Sequence, residues 1–447
     1  MSSSTDKFIH GLYSLTQIEL PESVVYQAKR CLLDYIGVTF AGARLIKEKG
    51  LSFIASSDNC GDKPIIGFNK RSNFYNAAFI NGMSAHIAEL DDGYRQGSVH
   101  LGAPIISALL PIVQHFNLTG HELLKGMIVG YEAAIIMASV IQPSHRNKGY
   151  HATGTCGTIG ASLGISAALG FTKQQMKNAL ATASTSASGM LNITKGGSEL
   201  KPYNAGQAAV SGIIAALTSK AGFNGPDCFL TGEWGFINMV ADVNNLSILD
   251  TKHEDTFGIQ KVYLKPYAAC RHCHPAIDAA LLIKGRYNIN LDEIEKIKII
   301  TYNLGTKGHD HTEILGISSA KMSTPFSVAV SLITGKAGIE EFSEEFINRP
   351  DIISLTKKIK IIGNDSLNSL VPQKRPAIVE IYTNNNIFKQ RIDLAKGEPE
   401  NPLSDHEAYN KFSSLSSFGG KSHKHIEQIH KFCFDIENNL HRLQDLL

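Results

Sequence analysis

Residues 86–104 gather three acids, Glu89, Asp91 and Asp92, with Arg95 and His100 close behind. The acids end an Ala-rich helical run, Gly93 follows them, and helix is expected to resume at about Ala103. Asp91-Asp92-Gly93 alone would suit a solvated helix end, but Arg95 and His100 are not needed for one. A histidine exchanges protons near neutral pH, an arginine holds carboxylates, and neighbouring acids can orient the histidine or supply a proton.

Three further segments carry similar chemistry. In Lys148-Gly-Tyr-His-Ala-Thr-Gly-Thr-Cys-Gly157, His151 precedes a helix rich in Gly, Thr and Ala, and free N–H groups at a helix start attract anions. Helix packing by small residues explains the rest of this segment without His151. A nucleotide loop is not supported, because no strand precedes Gly154 and no Gly-Lys-Ser/Thr completes a phosphate cradle. In the Gly-rich loop from Gly196, Lys201 stands before Pro202 and an apolar helix; it is either an exposed loop lysine or the holder of a substrate carboxylate. The segment from Lys265 to Asp278 holds Cys270, Arg271, His272, Cys273 and His274. A single CxxC with no second ligand pair at suitable spacing argues against structural zinc, and no thioredoxin-like context surrounds it. The segment reads instead as a crossover strand between domains, presenting His272 or His274 with Arg271 to an anion.

The elements that must position these groups change character along the chain. Apolar spacing predicts helices over residues 22–42, 73–92, 120–142, 157–170, 173–189 and 205–222, many rich in Ala, Gly and Ser and so suited to close packing. After about Val262 the pattern becomes α+β. Strands are expected at 294–302, 358–362, 377–382 and 387–394, the last two joined by a Thr-Asn-Asn-Asn hairpin signal, with helices at 275–287 and 324–334. Helix returns over 423–446.

The 447 residues suggest two or three domains. With Lys+Arg 43 against Asp+Glu 41, there is no electrostatic case for nucleic acid or an anionic membrane. No uncharged apolar run approaches the ~18 residues of a membrane span, and residues 1–7 lack the pattern of a signal peptide. Seven cysteines without framework spacing suggest reduced thiols and a cytoplasmic location.

Taken in order, the segments resemble the MmgE/PrpD family, which includes 2-methylcitrate dehydratases, cis-aconitate decarboxylases and an iminodisuccinate epimerase. The matching stretches are Ala85-His-Ile-Ala-Glu-Leu-Asp-Asp-Gly with His100, Gly149-Tyr-His-Ala-Thr, Ala187-Ser-Gly-Met, Lys201-Pro-Tyr-Asn-Ala-Gly-Gln-Ala-Ala, Gly222-Phe-Asn-Gly-Pro, and Lys265-Pro-Tyr through Asp278. The resemblance implies a mainly α protein: a large all-helical domain, about 1–262 with 400–447, and a smaller α+β lid domain, about 263–399. It implies a site between the two, no metal or organic cofactor, a homodimer, and a small di- or tricarboxylate as substrate.

Carried over by resemblance, the site comprises Glu89, Asp91, Asp92, His100, His151, Lys201 and one of His272 and His274. Lys201 and Arg271, with Arg95 and Glu89, would bind substrate, and Lys201 and Arg271 would neutralise the charge of an enolate-like transition state. Decarboxylase and dehydratase members often carry Asp-x-Asp-Asp-Thr where this chain has Glu89-Leu-Asp-Asp-Gly93, and the loop to His100 is about one residue longer here. Phe326 stands where the decarboxylases have a tyrosine. These departures remove hydroxyls and lead us to expect a lyase with dehydration ahead of decarboxylation. The alternatives are an epimerase of an imino- or amino-dicarboxylate and a non-catalytic carboxylate-binding protein.

Overall fold

The computed structural model describes residues 3–57, 60–194, 198–250 and 257–447. The chain divides into two units: Met1–Ile193 with Leu200–Val262 and Asp405–Leu447, and Thr194–Glu199 with Tyr263–Ser404. The fold is mainly helical with a smaller α+β unit, the class expected from the sequence.

The first unit is built almost entirely from helices. Glu22–Leu45, Phe74–Ile87, Gly102–His115, Gly120–Ile141, Ala152–Ala168, Lys173–Ser186 and Tyr203–Lys220 form its body. Local chemistry sets their starts: Asn73 Oδ1 accepts from the Asn76 N–H, and Thr119 with Glu122 and Thr172 with Gln175 form reciprocal capping boxes. Ala152–Ala168 is buried along its whole length. It can lie so close to Gly120–Ile141 because glycines meet: a Cβ on Gly160 would stand 2.7 Å from the Gly130 carbonyl oxygen, and one on Gly130 equally close to that of Gly160. Gly120–Ile141 is long and apolar enough to cross a membrane by length and composition, but 89% of its most apolar window is buried inside the protein.

The 73–92 expectation overran. The helix stops at Ile87 and Glu89 takes a left-handed backbone, φ 56°, which turns the acids out of the helical path. Helices that escaped the sequence reading include Ser4–Leu15, Lys47–Ser56, Pro350–Lys357 and Asp405–Phe418, and a two-stranded ribbon of Lys63–Ile65 and Lys70–Ser72 escaped it too. The terminal helix read as one over 423–446 is two, His423–Phe434 and Ile436–Leu446, divided at Asp435.

The second unit carries a mixed four-stranded sheet in the order Ile359–Gly363, Ile294–Thr301, Ala377–Thr383, Ile387–Ile392. The first pair is parallel and the other two antiparallel. Ile297, Ile299, Val379 and Ile381 are buried, while the edge strand Ile387–Ile392 alternates exposed and half-buried, the period of two that made these strands readable. Its helices include His274–Arg286 and Thr324–Thr334.

Candidate active site

In the helical unit the 88–101 loop is pulled inward between Phe74–Ile87 and Gly102–His115, and Glu89, Asp91, Asp92 and Arg95 are all buried. Buried carboxylates demand partners, and each acid finds a different kind. Glu89 is paired with the Lys201 ammonium. Asp91 Oδ2 lies 2.6 Å from His86 Nδ1 and 3.2 Å from His100 Nδ1. Asp92 Oδ1 accepts from the Gly102 N–H at 2.8 Å, capping the next helix from outside its sequence, and Oδ2 accepts from Tyr131 Oη at 2.6 Å. Lys411, on Asp405–Phe418, steadies the loop by donating to the Leu90 carbonyl at 2.8 Å while paired with Asp34.

The environments push the two aspartates apart. Burial raises the Asp91 carboxyl, but the facing His100 and His86 outweigh it and hold it well below the usual carboxylate range. Burial pushes Asp92 up to about 7, partly resisted by the hydrogen bonds from Tyr131 and Gly102 and helped by Asp34 and Asp91. Asp91 is thus the permanent anion between two imidazoles, whereas Asp92 titrates near neutrality.

Three imidazoles cluster around this anion. The His86 ring stands 4.7 Å from that of His100 and 6.1 Å from that of His151. His100 Nδ1 donates to the Asp92 carbonyl at 2.8 Å, leaving Nε2 as its lone-pair nitrogen. His100 N–H donates to Thr153 Oγ1 at 3.2 Å, tying the loop to the first turn of Ala152–Ala168. His151 occupies the position before that turn, and its N–H donates to the Gly189 carbonyl at 2.9 Å. Asn204 Nδ2 donates to His151 Nδ1 at 2.8 Å, which puts the ring proton on Nε2. Burial, reinforced by the charges of His86, Lys201 and His100, holds His151 well below the ordinary histidine value. At neutral pH it is a neutral N–H donor.

Glu89, Asp91, Asp92, His100, His151 and Lys201 therefore come together, with Arg95 buried in the turn closed by the Tyr94–Val99 bridge. His86, Tyr131 and Asn204 join them, and none of the three was singled out from the sequence. His86 had a signal in its position five residues before Asp91 and Asn204 in the stretch that follows Lys201; Tyr131 is brought in by helix packing and left none. Gly196 and Gly197 of the lysine loop lie outside the described residues.

Arg271, His272 and His274 belong to the other unit, and the expected crossover strand is a turn leading into the helix His274–Arg286. Arg271 is buried and used internally: Nε donates to Glu398 Oε1 at 3.0 Å and Nη1 to the Lys396 carbonyl at 3.0 Å. His274 is fully buried, with Nδ1 2.7 Å from Arg271 Nη1 and Nε2 3.0 Å from the Ala269 carbonyl oxygen. Both side chains brace the turn, and His272 is likewise bonded within its own unit, its Nδ1 2.5 Å from Tyr302 Oη. Phe326 lies in the core against Phe342, ring centroids 5.5 Å apart.

Comparison with known proteins identifies the family. Residues 8–249 match the MmgE/PrpD N-terminal domain and residues 267–435 the MmgE/PrpD C-terminal domain. The chain belongs to the MmgE/PrpD family. Among its relatives, a cis-aconitate decarboxylase of Aspergillus terreus is 26% identical over 382 residues, covering 80% of this chain and 78% of the relative. The cis-aconitate decarboxylases of Mus musculus and Homo sapiens are 25% and 24% identical, covering 93% of this chain in each case and 87% and 88% of their own lengths. Family membership and these relatives support a lyase.

Proposed function

We propose that this protein is a lyase for a small di- or tricarboxylate, moving a proton at a carbon beside a carboxylate as CO2 or water leaves. The observation that carries the reading is the Asp91–His100 pair facing a neutral His151 and the Glu89-paired Lys201. His100 has the tautomer of a general base or, once protonated, of a general acid, and Asp91 stabilises the imidazolium between those steps. The neutral His151 donates through Nε2 to the oxygen on which enolate charge develops, and needs no proton removal to do so. Lys201 exchanges Glu89 for a substrate carboxylate.

For decarboxylation, the carbon–carbon bond to the departing carboxylate breaks and its electron pair enters the enolate. His100, entering the cycle as the imidazolium after taking a proton from solvent, then donates that proton to carbon. For dehydration, His100 removes the proton and hydroxide leaves as water after protonation. The relatives' activity puts decarboxylation first among the reactions to test, ahead of the dehydration expected from the hydroxyls missing at Gly93 and Phe326.

Purified protein should be incubated in D2O with cis-aconitate, citrate and 2-methylcitrate and followed by NMR. Turnover of one of them, with deuterium at the reacting carbon and activity abolished by His100→Ala and His151→Ala, is expected. Deuterium exchange on an amino- or imino-dicarboxylate without loss of mass would replace this reading with an epimerase.

A further inference from the structure

The turn that begins the His274–Arg286 helix carries an arrangement that the proton transfer above does not use. Cys270, His272 and His309 each offer one ligand atom, and these atoms lie within 4.8 Å of one another. Cys270 Sγ is 3.9 Å from His309 Nε2, and the rings of His272 and His309 have centroids 5.1 Å apart. Two donors on one tetrahedral zinc, with Zn–S about 2.3 Å and Zn–N about 2.05 Å, stand about 3.6 Å apart. The Cys270–His309 pair is already close to that separation, and a side-chain rotation brings in His272.

Supporting hydrogen bonds fix the donors in the required form. His309 Nδ1 donates to the Met322 carbonyl at 2.8 Å, which leaves Nε2 as the lone-pair nitrogen on the side of Cys270. His272 Nδ1 lies 2.5 Å from Tyr302 Oη, and donation there leaves its Nε2 likewise able to ligate. The Cys270 N–H donates to the Lys321 carbonyl at 2.8 Å, one residue from the group that anchors His309. An outward N–H bonded to a carbonyl or hydroxyl is the usual support of a metal-bound histidine. Both histidines are buried and Cys270 is half-buried, which shields the donors while leaving an entry.

We propose that Cys270, His272 and His309 form a three-donor site for a borderline-soft divalent cation, Zn2+ by ligand type, with the fourth tetrahedral position left for water or a carboxylate oxygen. The spacing of the sequence concealed it because the third donor stands 39 residues beyond Cys270, not in a second ligand pair. The other group of metal-type donors among the described residues, His86, Asp91 and His100, contains no sulfur. A thiolate signal therefore distinguishes the two.

The full-length protein, stripped with chelator, should be titrated with Co2+. One equivalent should bind with cobalt–thiolate charge-transfer absorption, and Zn2+ should displace it. Cys270→Ser should abolish the absorption, and His309→Gln should weaken Co2+ binding at least about 10-fold. Cys228→Ser, at an exposed cysteine, should change neither. Titration of the unsubstituted protein without a thiolate band overturns the proposal, as does a band that survives Cys270→Ser in a folded variant. X-ray absorption of the zinc-loaded protein, which needs no variant, should show one sulfur and two imidazole nitrogens; a shell lacking sulfur overturns it too.

Discussion

Asp91→Asn preserves the shape of the side chain while removing the charge that faces both His86 and His100. At 3.2 Å and an effective dielectric of about 20, a full charge on Asp91 and on the His100 ring attract by about 5 kcal/mol. The same oxygen also serves His86 at 2.6 Å, so we assign His100 about half of this, about 2–3 kcal/mol. Where His100 acts as the base, as in dehydration, loss of that amount from the imidazolium-forming step lowers kcat/KM by roughly 30- to 150-fold. The assay is kcat and KM for the substrate found in the NMR panel, between about pH 5.5 and 8.5, with circular dichroism to check the fold. The loss should fall on kcat, and the limb set by His100 should move to lower pH, because a less stabilised imidazolium gives up its proton sooner: the low-pH limb for dehydration, where His100 is the base, and the high-pH limb for decarboxylation, where the imidazolium is the acid. A loss below about 3-fold with an unmoved limb, or one confined to KM, would refute the reasoning. The depressed Asp91 carboxyl also contributes stability that is present above the unfolded value of about 4 and lost as pH falls through the folded one. Asp91→Asn should therefore be least stable relative to wild type at neutral pH, with the gap narrowing in acid.

Asp92 has the opposite sign. Its folded value of about 7 exceeds the unfolded value of about 4, so the native state binds the extra proton and stability falls as pH rises between them. Asp92→Asn still accepts from Gly102 and can donate to Tyr131, and its stability relative to wild type should grow by up to about 4 kcal/mol from pH 4 to pH 7, read from guanidinium unfolding midpoints. A gap that does not change with pH counts against it. Gly160→Ala forces a methyl to within 2.7 Å of the Gly130 carbonyl and should destabilise the helical unit by about 1–3 kcal/mol, seen as a lowered Tm; an unchanged Tm would show that the two helices separate freely. Lys201→Met removes the cation intended for a substrate carboxylate and should raise KM at least about 10-fold, whereas an unchanged KM would remove Lys201 from binding.

Much of this arrangement was legible because periodicity and residue type agreed. Helix Thr324–Thr334 and the alternating strands Ile294–Thr301 and Ala377–Thr383 follow from the spacing of their apolar residues. His100, His151 and Lys201 stood out as ionisable groups beside apolar or Gly-rich helices, places where their charge has no packing role. The remainder depended on contacts that spacing does not encode. The stop at Ile87 comes from the left-handed turn at Glu89, a conformation glutamate seldom adopts. Asp405–Phe418, with few buried residues, has too weak an apolar stripe to announce itself. Arg271 and His274 looked available because their partners Glu398 and Ala269 are separated from them by topology or backbone geometry, and are not visible in residue type.

The hold of Lys411 on the Leu90 carbonyl has a consequence for how the protein is made. The ribosome delivers the acids and histidines of the 86–151 region early, then the whole intervening α+β segment, and only afterwards Asp405–Phe418. Until that helix emerges, the loop bearing Asp91 lacks its clamp and Asp34 its counter-ion. The loop of the nascent helical unit therefore lacks this hydrogen bond through synthesis of more than 250 residues, until the lysine arrives. Completion of the proposed site is in this sense a late translational event, and a chain halted before Lys411 would hold its acids and histidines without the clamp on the loop that bears Asp91.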